Sequence, residues 1–219
     1  NTKITWDSGA IFTTNEWQHL VVVRNASNEI TIYRNAASYT ANQPTRSGTF
    51  VPEYLGQKNG VHYLNGSITE ASIWSSAFTQ AQVTELYNDG KALDALTHSG
   101  GVGALEGYWR NNGLSTWSNL DNAGTLDGTP TSLTETLLLP AGVDGSRDNQ
   151  GFIMNRQRAT SSLNLSVNGN DYVDIPVELQ GDDQLAFIGV GDGFSVSCWV
   201  KFNTESSVTQ WMINRNDAT

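Results

Sequence analysis

From residue 194 to residue 202 apolar and other side chains alternate without a break. Phe194, Val196, Cys198, Val200 and Phe202 fall on one face of an extended chain, and Ser195, Ser197, Trp199 and Lys201 on the other. A period of two marks a half-buried strand of an antiparallel sheet. The matching signal lies near the other end of the chain. Residues 16–24 (Glu16-Trp17-Gln18-His19-Leu20-Val21-Val22-Val23-Arg24) and 29–35 read as two strands, and Asn25-Ala26-Ser27-Asn28 supplies the turn of a hairpin between them. Strong core strands therefore stand at opposite ends of one chain, and the fold has to bring them together.

Between them the pattern predicts mostly short strands. Lys3-Ile4-Thr5-Trp6 reads as a strand and Asp7-Ser8-Gly9 as its turn, whereas residues 35–52 are turn-rich and polar. A strand starts at Tyr54-Leu55-Gly56. Residues 67–74 alternate after the turn signal Asn65-Gly66, but Ile68 and Glu70 take opposite faces only if a bulge intervenes. One helix is predicted over 79–89. Thr79 is its N-cap and Gln82 the capping-box partner, Val83, Leu86 and Tyr87 form its apolar stripe, and Gly90 is its stop. Residues 91–103, ending Ser99-Gly100-Gly101-Val102-Gly103, read as a linker or long turn. The chain then restarts with strands at 104–110, 163–165, 172–176 and 210–214. Residues 119–130 form a polar Gly/Asn/Asp loop with a short strand, and apolar runs at 137–140 and 151–154 flank a further loop.

Composition narrows the class. The 219 residues suffice to bury a core, only 16% are charged, and 21 are Gly. The net charge of -10 makes a nucleic-acid backbone a poor partner and leaves room for a cation. No apolar run approaches the ~20 residues of a membrane helix, so membrane insertion is not expected. The single cysteine, Cys198, allows no intrachain disulfide and reads as a small buried hydrophobe. The chain opens without Met, in what reads as a strand, so a fragment, a processed product or one unit of a longer repeat is expected.

Several stretches carry a resemblance. Residues 16–23, Ile32-Tyr33-Arg34-Asn35, residues 64–74 and residues 78–88 resemble the C-terminal half of a laminin-G-like, concanavalin A-like jelly roll. Gly107-Tyr108-Trp109, residues 121–129, Tyr172-Val173-Asp174-Ile175 and residues 194–201 resemble its N-terminal half. The resemblance implies an all-β antiparallel jelly-roll sandwich with one short helix, its halves in permuted order. Residues 1–95 would be the C-terminal-half-like portion, 96–103 the linker and 104–219 the N-terminal-half-like portion, as in a chain cut from a tandem array or circularly permuted. Half a sandwich leaves an open core face and unpaired edges, so the halves must complete each other within one chain or between neighbouring chains. Donation between chains would build a head-to-tail fibre. Residues 137–156 are similar to segments in tandem jelly-roll structural proteins of marine bacteriophages and related viruses, which implies a virion or extracellular setting.

The sequence offers little catalytic chemistry. His19, His62 and His98 occupy separate contexts: His19 on a core strand, packed or hydrogen-bonded, and His98 in the linker, solvated. Neither a zinc spacing nor a nucleophile elbow is present. Some concanavalin-like sandwiches hydrolyse glycosides with two carboxylates across a cleft. Here Asp171 and Asp174 are three apart, and Asp182 and Asp183 read as a solvated turn, so a non-enzyme is expected. The resemblance does imply a calcium site at the sandwich rim, with ligands Asp121, Asn122 and Glu70, although Thr69 stands where the family usually has an acid. Trp17 and Trp199 are expected to be strand residues of the sandwich. The expected partners are copies of the chain itself, with glycan or cell-surface binding as the alternative function and glycoside hydrolysis behind it.

Overall fold

The protein is described here by a computed structural model, which covers residues 12–45, 48, 50, 52–58, 62–109, 127–131, 134–137, 161–165, 172–174, 178–179, 182–183, 192–203 and 213–214. The predicted strand at 3–6, the loop at 119–126 and the segment 138–156 lie outside these residues.

Among the described residues seven strands come before the helix: β1 (Trp17–Arg24), β2 (Glu29–Arg34), β3 (Ala37–Thr45), β4 (Tyr54–Leu55), β5 (Gln57–Lys58), β6 (His62–Tyr63) and β7 (Gly66–Trp74). After helix α1 (Gln80–Tyr87) come β8 (Leu105–Trp109), β9 (Thr129–Thr131), β10 (Thr134–Leu137), β11 (Ser161–Leu165), β12 (Tyr172–Asp174), β13 (Glu178–Leu179), β14 (Asp182–Asp183), β15 (Phe194–Phe202) and β16 (Ile213–Asn214). Among the described residues the larger sheet has eight strands in the order β10-β11-β7-β15-β1-β2-β3, with β8 also on β7, and a second sheet runs β16-β4-β12-β9. The ladders are antiparallel. The fold is thus an antiparallel β-sandwich with one short α-helix, as the resemblance implies.

The strand with the cleanest alternation holds the middle. β15 pairs with β1 from Trp17↔Lys201 to Arg24↔Phe194 and, on its other side, with β7 from Ser195↔Trp74 to Phe202↔Gly66. One face of the large sheet meets the second sheet. There Leu20, Ile68, Ile73, Phe194, Val196, Cys198, Val200 and Phe202 pack with Leu55 of β4 and Val173 of β12.

The other face is covered too, which corrects the half-buried reading of β15. Val21, Val23, Trp74, Leu105 and Tyr108 pack there against Phe78, Val83, Leu86 and Ala95. The helix begins as its capping box requires: Thr79 accepts from the Gln82 N–H and Gln82 reaches back to the Thr79 backbone. The α-helical part ends at Tyr87 with Asn88 as its left-handed C-cap, φ 47°, and a 3-10 turn over Asn88–Gly90 carries the chain to Gly90, itself at φ 80°.

Two further readings are corrected. Residues 37–45, expected to be turn-rich, form the edge strand β3, and Asp182-Asp183 pairs with β13 instead of standing as a free turn. Residues 91–103, read as a linker or long turn, contain one-turn 3-10 segments at Ala95–Thr97 and Val102–Ala104, and Leu93 and Ala95 pack against the sheet. Asp94 caps the first of these by accepting from the Leu96 N–H.

A bulge marks β7, as the mismatch of Ile68 and Glu70 requires. The pairing with β15 slips between Ser197↔Ser72 and Trp199↔Thr69, so Glu70 and Ala71 face Cys198 alone. Glu70 absorbs the extra residue in a left-handed conformation, φ 51°. The outer edge of β7 changes partner at the same place, from β11 at Gly66–Ile68 to β8 at Ala71–Trp74.

Candidate functional site

The layer between the large sheet and α1 gathers the polar and aromatic groups that could carry chemistry. His19 projects into it from β1 and is 1% exposed. Its Nε2 lies 2.8 Å from Ser197 Oγ on the adjacent strand. Its ring is 5.2 Å from that of Trp199 and stacks on Tyr87 of α1 at 6.0 Å, and Tyr87 stacks in turn on Trp199 at 5.9 Å. No partner reaches His19 Nδ1 among the described residues. Burial, with a smaller contribution from nearby His98, pushes the imidazole pKa down to about 3. His19 is therefore neutral at ordinary pH. Ser197 and His19 have the contact of a nucleophile and its base, but Ser197 is 2% exposed and no described acid orients Nδ1. The packed, hydrogen-bonded role expected for His19 is the one found.

Ser195, one pair along β15, is fully buried. Its Oγ accepts from the Phe78 N–H at 2.8 Å and donates to the Ser76 carbonyl at 2.8 Å. One hydroxyl thus satisfies two backbone groups where the chain leaves β7 for the helix. The alternation puts Ser195 and Ser197 on the face of β15 opposite its apolar side chains and by itself assigns them no role. Their alternation with apolar residues was the only signal that could have found them.

His98, expected in solvent, is 4% exposed. Its ring packs edge-on to Trp74 at 5.1 Å and lies 4.7 Å from Phe78. Nδ1 accepts from the Gly100 N–H at 3.0 Å, which leaves Nε2 as the protonated nitrogen, donating to the Gln82 carbonyl at 2.8 Å. Glu85 accepts from both the Ser99 N–H and the Ser99 hydroxyl. These bonds fasten residues 98–100 onto α1.

The three residues expected at a calcium site are not equally visible. Glu70 is buried, and one of its carboxylate oxygens accepts the Tyr108 hydroxyl across the β7–β8 pair. Asp121 and Asn122 lie outside the described residues. Among the described residues no three His, Cys, Asp or Glu side chains group as for a metal ion. Cys198 sits in the sandwich core, where burial pushes its thiol pKa up to about 12 and leaves it unreactive. Of the expected sandwich tryptophans, Trp199 is buried and Trp17 half-buried.

At the ends of β15 the contacts are directional. Arg24 lies over the Phe194 ring, 4.7 Å from its centroid, and donates through Nε to the Asp192 carbonyl at 3.0 Å. At the far end the Asn15 N–H donates to the Phe202 carbonyl and the Asn203 N–H to the Asn65 carbonyl. Phe12 and Phe50 close over Phe202 and Phe194.

Residues 1–84 match the family model Laminin_G_3, the concanavalin A-like lectin/glucanases superfamily. The match ends inside α1 and covers β1 to β7. No curated protein and no solved structure gives a significant match to the chain.

Proposed function

We propose that the chain is a non-enzymatic structural module, a repeat of a virion or extracellular fibre protein that joins copies of itself head to tail by sharing sandwich strands. One observation carries the reading: the centre of the large sheet is filled by β15, more than a hundred residues along the chain from both of its neighbours, β1 and β7. A central strand supplied from so far away is the element a neighbouring copy can supply as well. The buried histidines, serines and thiol support the same reading, because their polar atoms are engaged in packing or buried away from a substrate.

The test is light scattering behind size exclusion over a concentration series, with a thermal melt alongside. Growth into long species as concentration rises is expected. A concentration-independent 23.8 kDa monomer with a sharp melt would overturn the assembly reading.

A second reading is favoured by the family match at residues 1–84: a glycan- or cell-surface-binding module assisted by calcium, with Glu70, Asp121 and Asn122 as ligands. Oxygen donors of this kind suit a hard cation. Retention on a glycan array that calcium restores and a chelator abolishes, in wild type but not in Asp121→Ala, would establish it.

A further inference from the structure

The slot between β1 and β7 is built from sequence-local parts and filled by a sequence-distant one. The hydrogen bonds and ring contacts given above for residues 192–203 all run to residues 12–87. We propose that this slot is a strand-recognition site that reads two serines on an extended apolar segment, and that the partner it accepts is β15 of a second copy of the chain. The inference rests on the assembly reading above and names its contact.

The apolar face of β15 gives little selectivity, since many alternating strands could lay such a face on the core. The serine face does select. Ser195 is the acceptor for the buried Phe78 N–H and the donor to the Ser76 carbonyl, and Ser197 meets Nε2 of His19. A strand with valine at these positions leaves the Phe78 N–H and the Nε2 of His19 without these partners in a buried layer. Register is fixed as well. The bulge sets Glu70 and Ala71 against Cys198, and a slip of one residue would turn the phenylalanines out of the core. The ends are read by Arg24 on Phe194 and Asp192, and by Asn15 and Asn65 on Phe202 and Asn203.

Reach allows the exchange. Asp174 of β12 and Phe194 of β15 are separated by about 20 residues, and with the β13–β14 hairpin folded back on itself the remainder spans roughly 45 Å at full extension. The radius of gyration of a domain this size is only about 17 Å. β15 can therefore enter its own slot or the next copy's and make the same contacts in either. A heterologous contact of this kind does not close on itself.

The wild-type chain carries one thiol, Cys198, whose register partner across β1 is Leu20. The experiment mixes full-length wild type with a full-length Leu20→Cys/Cys198→Ser variant, unfolds both in urea and refolds them together under oxidising conditions. A disulfide-linked heterodimer joining Cys198 to the engineered thiol is expected, because this pairing places one copy's β15 in the other's slot. Adding Ser197→Val to the strand donor is expected to lower the yield about tenfold. The pair Val22 and Val196 is a second register couple. Val22→Cys/Cys198→Ser mixed with Val196→Cys/Cys198→Ser repeats the test if the first variant does not fold. Long species without cross-links would overturn the slot proposal and leave the assembly reading standing. Monomers without cross-links would overturn both. Cross-links indifferent to Ser197→Val would overturn recognition through the serines.

Discussion

His19 Nε2 and Ser197 Oγ meet at 2.8 Å across the β1–β15 pair, although 178 residues separate them. The contact lies in the layer sealed by α1, and it ties the central strand to the part of the chain that precedes the helix. Its imidazole is held neutral by burial, with a pKa pushed down to about 3 from an ordinary 6.5. The unfolded chain therefore binds a proton between those values that the folded chain does not. Stability from this residue is complete above pH 6.5 and is lost as pH falls toward 3. The slope is about 1.4 kcal/mol per pH unit for a single group. Urea unfolding between pH 7 and pH 4 should show this loss as the difference between wild type and His19→Gln. Parallel curves would mean that His19 is not buried neutral.

Ser195 gives a sharper test of the same layer. Ser195→Ala removes the acceptor of the Phe78 N–H and the donor to the Ser76 carbonyl. A buried backbone donor left without a partner costs about 1–3 kcal/mol. The expected result is a loss of that size in urea midpoint analysis. Ser99→Ala, which removes an exposed hydroxyl from Glu85, should cost clearly less.

What the sequence revealed and what it hid follow from the same physics. The apolar face of β15 was legible because period two is geometric. The burial of its other face was not, because Ser195 and Ser197 look like surface residues until a helix lies over them. The bulge could be anticipated from Ile68 and Glu70, whose spacing conflicts with their polarity. The edge strand β3 was hidden because Asn42, Gln43 and Pro44 read as a turn, and its pairing with β2 does skip residues 41–44 at a register shift, holding the strand at Ala37–Thr40 and again at Thr45. His98 was misplaced for a related reason. Its Ser-Gly-Gly neighbourhood suggests solvent, while the rings of Trp74 and Phe78 that bury it are distant in sequence. Of the expected calcium ligands, only Glu70 lies among the described residues.

The carboxylate of Glu70 and the Tyr108 hydroxyl form a buried pair at the bulge. Removing the donor should cost more than neutralising the acceptor. Tyr108→Phe takes a charge-assisted hydrogen bond from a buried carboxylate, with an expected loss of about 1.5–3 kcal/mol. Glu70→Gln keeps an oxygen for the hydroxyl and should cost less. Chemical denaturation of the two variants gives the order directly. The reverse order would mean that the carboxylate draws its main support from elsewhere.

Gly66 of β7 lies tight against the backbone of β15. It pairs with Phe202, and a Cβ there would collide with the carbonyl oxygen of Lys201. That atom is backbone in a strand held from both sides, so it cannot swing away as a side-chain tip could. Gly66→Ala should therefore destabilise by about 1–3 kcal/mol through overpacking. This outweighs the ~0.4–1 kcal/mol an alanine gains by restricting the unfolded chain. For a chain of this length each kcal/mol lowers Tm by about 2–4 °C. Gly103 is the control, since a Cβ there meets nothing within 4 Å. A thermal melt should place Gly66→Ala well below wild type and Gly103→Ala beside it. Equal melts for the two variants would show that β15 does not lie against Gly66 in solution.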